Sequence, residues 1–186
     1  MKTSVPLFHL LIYTGGRKGE ILALRWKDID FKTKTICLNK TLFYENGQHI
    51  PLTSKTAASR RFISVDDTTI GLLKKFRTGQ FGRPLVHIHA KENDLLFTRE
   101  DGSPLRLAYP NDKLREIIKY HDLHPITVHG LRHTHASLLF EAGASIKEVQ
   151  ERLGHSDIKM TMNIYTHVTK TVKEQTATRF EKFMEK

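Results

Sequence analysis

Apolar residues follow a helical spacing near both ends of the chain and an alternating pattern between residues 34 and 65. The apolar run at residues 6–13 predicts a buried helix, which ends at Thr14-Gly15-Gly16 because paired glycines end helices. A second helix is predicted over about residues 17–26, with its apolar side formed by Ile21, Leu22 and Leu24. The chain therefore opens with two helices joined by a glycine turn.

The alternating region predicts a small antiparallel sheet inserted between helices. Residues 35–38, 41–44 and 61–65 are the candidate strands, and Asn46-Gly47 is a strong hairpin-turn signal. A helix over residues 66–77 follows, capped by Asp66 or Asp67. Residues 78–93 are predicted to form a polar loop and residues 95–97 a brief extended segment.

The rest of the chain has helical spacing. Helices are predicted over residues 111–120, 127–142, 145–153 and 159–167, with a final segment from Lys170, and Gly130, Gly143 and Gly154 punctuate them. The predicted fold class is therefore mostly α with a small antiparallel β-sheet, an α+β arrangement.

Composition narrows the function. A chain of 186 residues with 39% hydrophobic and 27% charged residues fits one folded domain. The net charge of +10 indicates a polyanionic partner, with nucleic acid favoured over an acidic membrane surface. A single cysteine, Cys37, excludes an internal disulfide and a cysteine-rich zinc site, and it suits a reducing cytoplasm. The apolar stretch at residues 5–13 is too short to span a bilayer, and the start has no signal-peptide pattern, so we expect neither secretion nor membrane insertion.

The segment Thr127-Val128-His129-Gly130-Leu131-Arg132-His133-Thr134-His135 carries the densest candidate chemistry. Thr127 is a plausible helix N-cap. At about 100° per residue, His129, Arg132 and His133 share one arc of the helix, and we expect Leu131, Leu138 and Leu139 to face the core on the other side. Cations at the start of a helix favour phosphate binding. A solvated histidine-rich helix face is the alternative interpretation.

Further motifs extend this signal. Thr14-Gly15-Gly16-Arg17-Lys18-Gly19-Glu20 places an arginine at a helix start, and Leu153-Gly154-His155 precedes Ile164-Tyr165-Thr166-His167. With these motifs the sequence resembles the tyrosine recombinases, the phage-type integrases. Their catalytic domains carry T-G-x-R-x-G-E, a lysine in a β-hairpin, H-x-L-R-H-T, L-G-H and a tyrosine in I-Y-x-H. All five motifs occur here in that order, over nearly the whole chain.

The resemblance implies a fold shared with type IB topoisomerases and a role for each matching residue. Tyr165 matches the nucleophile, whose phenolate is favoured by cationic neighbours. Arg17 and Arg132 match the pair that binds the non-bridging phosphate oxygens, where planar guanidinium groups bond two oxygens at once. His129 and His155 match the positions that hydrogen-bond the phosphate and assist proton transfer.

The same resemblance implies a catalytic role for Lys55 and a supporting role for Glu20. Lys55 matches the hairpin lysine that protonates the leaving 5′ oxygen, and the pattern Lys-Thr-x-x-Ser-x-Arg favours it over Lys40, Arg60 and Arg61. Glu20 matches an acidic position that orients a histidine or an arginine. His133 and His135 are expected to be structural and to bond the backbone or Glu20. No cofactor and no metal ion is implied.

The resemblance also predicts the organisation of the chain. Residues 1–170 form the catalytic domain, and the N-terminal core-binding domain that family members usually carry is expected to be absent. Residues 171–186 are predicted to form a helical tail with Val172, Thr176, Phe180 and Phe183 on one arc and Met184 at its edge. In the resembled family such a tail packs on a neighbouring protomer, which implies a tetramer on DNA and a monomer when free.

These expectations combine into site-specific strand exchange on double-stranded DNA, without ATP, in the cytoplasm of a bacterial host and associated with its nucleoid. A type IB topoisomerase activity that religates the same strand is the related alternative. A non-catalytic DNA-binding module is another, and it would not need Tyr165. A metal-dependent phosphohydrolase built on the eleven histidines is disfavoured, because the acidic ligands that should accompany them are not clustered in the sequence.

Overall fold

The computed structural model of the protein describes residues 3–45, 47–53, 60–81, 95–166, 181 and 183–185. The helices are α1 (Ser4–Thr14), α2 (Lys18–Leu22), α3 (Asp67–Phe81), α4 (Tyr109–Tyr120), α5 (Val128–Glu141), α6 (Ile146–Leu153) and α7 (158–166). The strands are β1 (Ile29–Asp30), β2 (Thr35–Leu38), β3 (Lys40–Glu45), β4 (Gln48–Thr53) and β5 (Arg61–Ser64). The mostly α class with small antiparallel sheets is confirmed.

The strands form two separate sheets where the sequence predicted one. The first has the antiparallel order β1-β2-β5, with Ile36 of β2 opposite both Ile29 and Ile63. The second is the β3–β4 hairpin, whose register places Glu45 opposite Gln48 and Lys40 opposite Thr53. The hairpin predicted at residues 46–47 is therefore present, although Asn46 itself lies outside the described residues.

The main core lies between the first helices and the three-stranded sheet. It joins α1, α2, α3 and the extended segment at residues 95–97, whose Leu96 N–H donates to the Leu24 carbonyl at 2.7 Å. Its fully buried members include Leu7, Leu10, Leu11, Ile21, Leu22, Ile36, Leu38, Ile63, Leu73, Leu96 and Phe97. We call this set the main core.

A second and smaller cluster holds the C-terminal helices together. Its buried members are Ala136, Phe140, Val149, Leu153 and Ile164, contributed by α5, α6 and α7. We call this set the small cluster. Because α5 places Val128 in the main core and Ala136 in the small cluster, this helix connects the two.

Two element boundaries differ from the prediction for identifiable reasons. The second helix ends at Leu22, and a 3₁₀ turn at Trp26–Asp28 follows, in which the Asp28 carboxylate accepts from the Arg25 N–H at 2.9 Å. α3 continues past residue 77 to Phe81. The buried Gln80 holds this last turn, because it accepts from Trp26 Nε1 at 3.1 Å and donates to the Leu96 carbonyl at 2.9 Å.

Two helix starts in the C-terminal half are capped by side chains, and the cap at Thr127 is the one that the sequence predicted. The Thr127 hydroxyl accepts from the Gly130 N–H, and Ser145 forms a capping box with Glu148. α6 ends at Gly154, which adopts a left-handed conformation with φ of 67°. In the described part of the chain no helix has the length and apolar character needed to cross a membrane.

Candidate phosphate-binding site

The turn between α1 and α2 places Arg17 at the edge of the site. Gly15 ends α1 with a φ of 62°, and a Cβ there would lie 2.6 Å from His135 Cδ2, so both conformation and space require glycine. Arg17 then occupies the N-cap of α2, where its backbone N–H donates to Glu20 Oε2 at 2.7 Å. The Arg17 side chain remains 41% exposed.

Glu20 is the buried acidic centre of the site, with its side chain 4% exposed. It accepts from Arg17 Nη1 at 3.0 Å and from both terminal nitrogens of Arg61, at 2.9 and 2.8 Å. Burial alone would raise the pKa of Glu20, but the hydrogen bonds and charge of Arg61, together with Arg17, hold it below its ordinary value. Glu20 therefore contacts two arginines, and its role in orienting them stays a prediction.

Arg132 is the most deeply placed of the cations, at 3% exposure. Its Nη1 donates to the Gly15 carbonyl and its Nη2 to the Leu153 carbonyl, both at 2.7 Å. Burial, and then the charges of Arg17 and Arg61, lower the pKa of Arg132 to about 9, so its guanidinium is still protonated at neutral pH. The fork ties the turn after α1 to the end of α6.

The predicted faces of α5 are partly wrong. Arg132 is buried, whereas Leu138, which was expected to face the core, is 53% exposed, and Leu131 and Leu139 are only partly buried. The reason is tertiary: α5 packs against both α1 and α6, so the side of the helix that carries Arg132 and Ala136 is the covered one. A helical projection of the sequence cannot show which face is covered, because it does not contain the neighbouring helices.

Three guanidinium groups converge on the end of α6. The last carbonyls of a helix lack intrahelical partners and carry negative partial charge, so they offset the repulsion among clustered cations. The pairs are Arg61 Nε with the Arg152 carbonyl at 2.9 Å, Arg132 Nη2 with the Leu153 carbonyl at 2.7 Å, and Arg17 Nη2 with the Gly154 carbonyl at 3.4 Å. One helix end thus fixes the three arginines relative to each other.

A cavity of about 630 Å³ opens beside this cluster. Arg17, His129 and Arg132 all lie in its wall, with Lys18 and Arg115 further along it. Thr127 and Val128, at the start of α5, also line it, so the positive end of that helix faces the space. The cavity has the charge and the donors that a phosphodiester requires.

The two histidines nearest the cavity wall are in edge contact. His129 and His133 pack with ring centroids 4.7 Å apart, and His133 is exposed. Burial, and then the charges of His133, Arg132 and Arg17, lower the pKa of His129. His129 is therefore neutral at neutral pH and can either donate or accept a proton.

Two further histidines are buried around the end of α6. His155 Nδ1 lies 2.9 Å from Thr161 Oγ1, and burial, followed by the charges of Arg132 and Arg17, lowers its pKa to about 4. His135 Nε2 accepts from Arg152 Nε at 3.1 Å, and burial and Arg152 lower its pKa to about 4. Of the two partners expected for His135, the backbone is present, through a hydrogen bond with the main chain of Ile12, and Glu20 is not, because that carboxylate is bonded by Arg17 and Arg61.

Tyr165 lies outside the cavity wall that the described residues form. Its ring is partly buried against the small cluster and packs edge-to-face on Phe140, with centroids 5.1 Å apart. Lys55 lies outside the described residues, as do Val172, Thr176 and Phe180 of the predicted tail. Phe183 and Met184, which are described, are exposed.

Arg61 and Arg152 take part in the site, although the motifs gave neither of them a role. A signal for Arg61 does exist: β5 alternates, with Arg61 and Ile63 inward and Phe62 and Ser64 outward, so the strand carries an inward cation that needs a buried partner. Arg152 donates to the Tyr13 and Ser64 carbonyls, at 3.1 and 3.2 Å. Those acceptors come from distant segments, and no local pattern indicates them.

The described residues do not form a metal site. Within the part of the chain that the structure describes, no three histidine, cysteine, aspartate or glutamate side chains gather closely enough to hold a metal ion. The cations of the site are all side chains of arginine, lysine or histidine.

The chain is similar to known proteins over nearly its whole length. The sequence model of the phage integrase family matches residues 3–171. The integrase of Staphylococcus phage L54a is 34% identical over 175 residues, covering 92% of this chain and 49% of that protein. A XerC-like tyrosine recombinase of Caldanaerobacter subterraneus is 35% identical over 175 residues, covering 87% of this chain and 45% of that protein. The chain thus spans about half the length of these curated relatives.

A solved structure shows the same fold. The integrase of transposon Tn1549, in complex with circular intermediate DNA, superposes with a TM-score of 0.75 at 24% identity. The match covers 86% of this chain and 54% of that one. The predicted fold type, that of a tyrosine recombinase catalytic domain, is confirmed.

Proposed function

This chain belongs to the phage integrase family of tyrosine recombinases, and from that membership we propose that it is the catalytic part of a site-specific DNA recombinase. It cleaves and rejoins strands of double-stranded DNA through a 3′-phosphotyrosyl intermediate. The observation that carries this proposal is the convergence of Arg17, His129 and Arg132 on one cavity of about 630 Å³.

The chemistry begins with a scissile phosphate in that cavity. Arg17 and Arg132 bind its non-bridging oxygens and stabilise the charge that develops there in the transition state. The Tyr165 oxygen attacks phosphorus while the bond from phosphorus to the 5′ oxygen breaks, and Lys55 gives a proton to that leaving oxygen. His129 and His155 hydrogen-bond the phosphate and assist the transfer of the tyrosine proton.

The position of Tyr165 adds a requirement. Its ring packs on Phe140, outside the wall of the cavity. The reaction therefore needs α7 to bring the hydroxyl to the phosphate when DNA binds. Among the described residues, the small cluster beneath the ring has five buried members, which is a smaller set than the main core that holds α1 and α2.

Neither ATP nor a metal ion is needed for this reaction. The phosphotyrosyl bond conserves the energy of the cleaved phosphodiester, and a free 5′ hydroxyl later attacks it to rejoin a strand. The negative charge of the phosphate is neutralised by Arg17, Arg132 and Lys55, while His129 and His155 hydrogen-bond it as neutral rings.

The proposal extends to assembly and location. The Tn1549 integrase forms a complex with circular intermediate DNA, which supports duplex DNA as the partner of this chain. We propose that residues 1–170 form the catalytic domain and that residues 171–186 dock on a neighbouring protomer in a DNA-bound tetramer, the free chain being monomeric. Its place of action is the nucleoid, in the cytoplasm of a bacterial host.

A covalent-capture experiment tests the activity. The probe is a pool of nicked duplexes with randomised sequence on both sides of the nick, labelled at the 5′ end of the nicked strand. Cleavage close to the nick releases a short fragment and traps the protein on DNA. The expected result is a labelled adduct on a denaturing gel, formed equally with and without EDTA.

Two variants make this experiment specific. Tyr165→Phe should abolish the adduct, since the ring and the cationic cavity remain but the nucleophile is gone. Tyr120→Phe is the matched control, because Tyr120 is 84% exposed on α4, and it should form the adduct at the normal rate. An equal adduct from Tyr165→Phe, or none from the unchanged chain, would contradict the proposal. Loss in EDTA with recovery on adding a divalent metal would favour a metal-dependent hydrolase.

A further inference from the structure

Arg61 makes more contacts in the site than its place on a short strand suggests. Its side chain is 6% exposed, bonds both oxygens of Glu20 and donates from Nε to the Arg152 carbonyl. The backbone closes over it, because a Cβ at Gly154 would lie 3.0 Å from Arg61 atoms. Arg61 lies behind the cavity and not in its wall, so it is placed to act through its neighbours.

The neighbour that matters is Glu20, which Arg61 and Arg17 share. Arg61 donates two hydrogen bonds to the carboxylate, and the Arg17 guanidinium donates one, at 3.0 Å. A carboxylate and a guanidinium prefer a two-bond fork geometry. If Arg61 were removed, Glu20 would offer both oxygens to Arg17 and would hold its guanidinium away from a phosphate.

Charge leads to the same conclusion. Arg17, Arg61 and Arg132 carry three positive charges around the buried carboxylate of Glu20. With Arg61 paired to Glu20, the charges of Arg17 and Arg132 are both left to act on an anion in the cavity. Without Arg61, the charge of Glu20 would offset that of Arg17.

We propose that Arg61 is a positioning residue that occupies Glu20 and thereby leaves the Arg17 guanidinium available to the scissile phosphate. The inference rests on the proposed function for its consequence in catalysis, although the arrangement of the three side chains does not depend on it. In this role Arg61 acts through Glu20 and Arg17, because its side chain is buried.

A double-variant cycle tests this role. Arg61→Met should lower the rate of covalent adduct formation at saturating DNA by about 100-fold, the size expected for losing one transition-state donor. Glu20→Gln removes the competing charge. In a Glu20→Gln background, Arg61→Met should therefore change the rate by less than about threefold, and the double variant should react faster than Arg61→Met alone.

Further variants separate positioning from general stability. Arg152→Met is the control, since Arg152 also bonds main-chain carbonyls near the site but does not contact Glu20, so Glu20→Gln should not restore its rate. Arg61→Lys keeps the charge but has a single donor group. Its rate of adduct formation should therefore lie between the rates of the unchanged chain and Arg61→Met. All rates are taken where Trp26 fluorescence shows a folded protein. If Arg61→Met does not fold, Arg61→Lys serves in both backgrounds.

Inorganic sulfate separates this inference from the proposed function. Arg61→Met should weaken sulfate binding by about tenfold, and Glu20→Gln should restore it, because the cavity charge changes in the same way. If the unchanged chain forms no adduct but sulfate follows this pattern, the proposed function fails and the role of Arg61 stands. An equal loss on Arg61→Met in both Glu20 backgrounds, or unchanged sulfate binding and adduct rate, would overturn that role.

Discussion

The main core and the small cluster support different parts of the same site. The main core lies under α1, α2 and the three-stranded sheet, and these elements carry Arg17, Glu20 and Arg61. The small cluster has five buried members between α5, α6 and α7, and Tyr165 packs at its edge. The cations thus rest on the extensive core, and the proposed nucleophile rests on the limited one.

This difference separates two demands of the proposed chemistry. Groups that stabilise a transition state work best when they are held in place beforehand, and extensive packing does this for the arginines. A nucleophile that must approach its target benefits from weaker local packing, because local opening costs less where few apolar contacts are lost. Arg132 joins the regions, since it donates to Gly15 beside the main core and to Leu153 beside the small cluster.

The same substitution in each region gives the largest expected effect on stability. Leu10 in the main core and Leu153 in the small cluster are both fully buried. Leu10→Ala should lower the free energy of unfolding by about 4–5 kcal/mol and Leu153→Ala by about 2–3 kcal/mol, because the smaller cluster can relax around the lost volume. Urea unfolding followed by Trp26 fluorescence measures both values.

Hydrogen exchange sharpens this comparison. Leu153→Ala should raise exchange in residues 158–166 more than in α1, whereas Leu10→Ala should raise it throughout the domain. Equal losses, with exchange raised evenly in the two regions, would show that the main core and the small cluster unfold as one unit and would break the comparison.

Replacing Arg132, which links the two regions, is expected to give the next largest effect. Arg132→Lys retains a charge, but one ammonium group cannot keep both carbonyl bonds at their present geometry. We expect adduct formation to slow by about 10²–10³-fold, which corresponds to about 2.7–4 kcal/mol. Arg77→Lys, on α3 away from the cavity, is the control for losing a guanidinium and should react normally. A normal rate for Arg132→Lys would show that charge alone suffices.

The smallest expected effect is a loss of stability at acid pH, caused by two histidines that lie near the small cluster. His135 and His155 both have pKa values lowered to about 4, against 6.5 for the unfolded chain. Stability from their neutral rings is fully present above about pH 6.5 and is lost as the pH falls toward 4, because the unfolded state binds the protons first. At about pH 5.5 each histidine should cost about 1 kcal/mol relative to pH 7.

Urea unfolding at the two pH values measures this loss. His155→Gln should lose less stability on acidification, because it removes one of the two groups that titrate. His121→Gln is the control, since His121 is exposed, and it should lose as much as the unchanged chain. If His155→Gln kept the full loss, another group would be responsible.

Local sequence signals predicted much of this fold. The cap at Thr127, the glycine ends at Gly15 and Gly154 and the alternation of β5 all act within a few residues, so they can be predicted without knowing the neighbouring elements. The motifs also indicated Arg17, His129 and Arg132, which the structure brings to one cavity. Their roles, with those of His155, Tyr165 and Lys55, stay predictions for the experiments above.

Other features depended on contacts between distant segments. The extension of α3 to Phe81 depends on Gln80 bonding Trp26 and Leu96, and the covered face of α5 depends on where α1 and α6 lie. The division into two sheets likewise depends on the tertiary structure, because β2 pairs with the distant strand β5 and not with its neighbour β3.

The sequence by itself determined the helices, the caps, the hairpin and the family motifs, because these depend on backbone preferences and on side-chain spacing within short windows. Only the tertiary structure decided that Arg61 would take both oxygens of Glu20 and that the end of α6 would accept from three arginines. The physical reason is that a buried charge is stable only beside specific partners, and the partner of Arg132 at Gly15 lies 117 positions away in the chain.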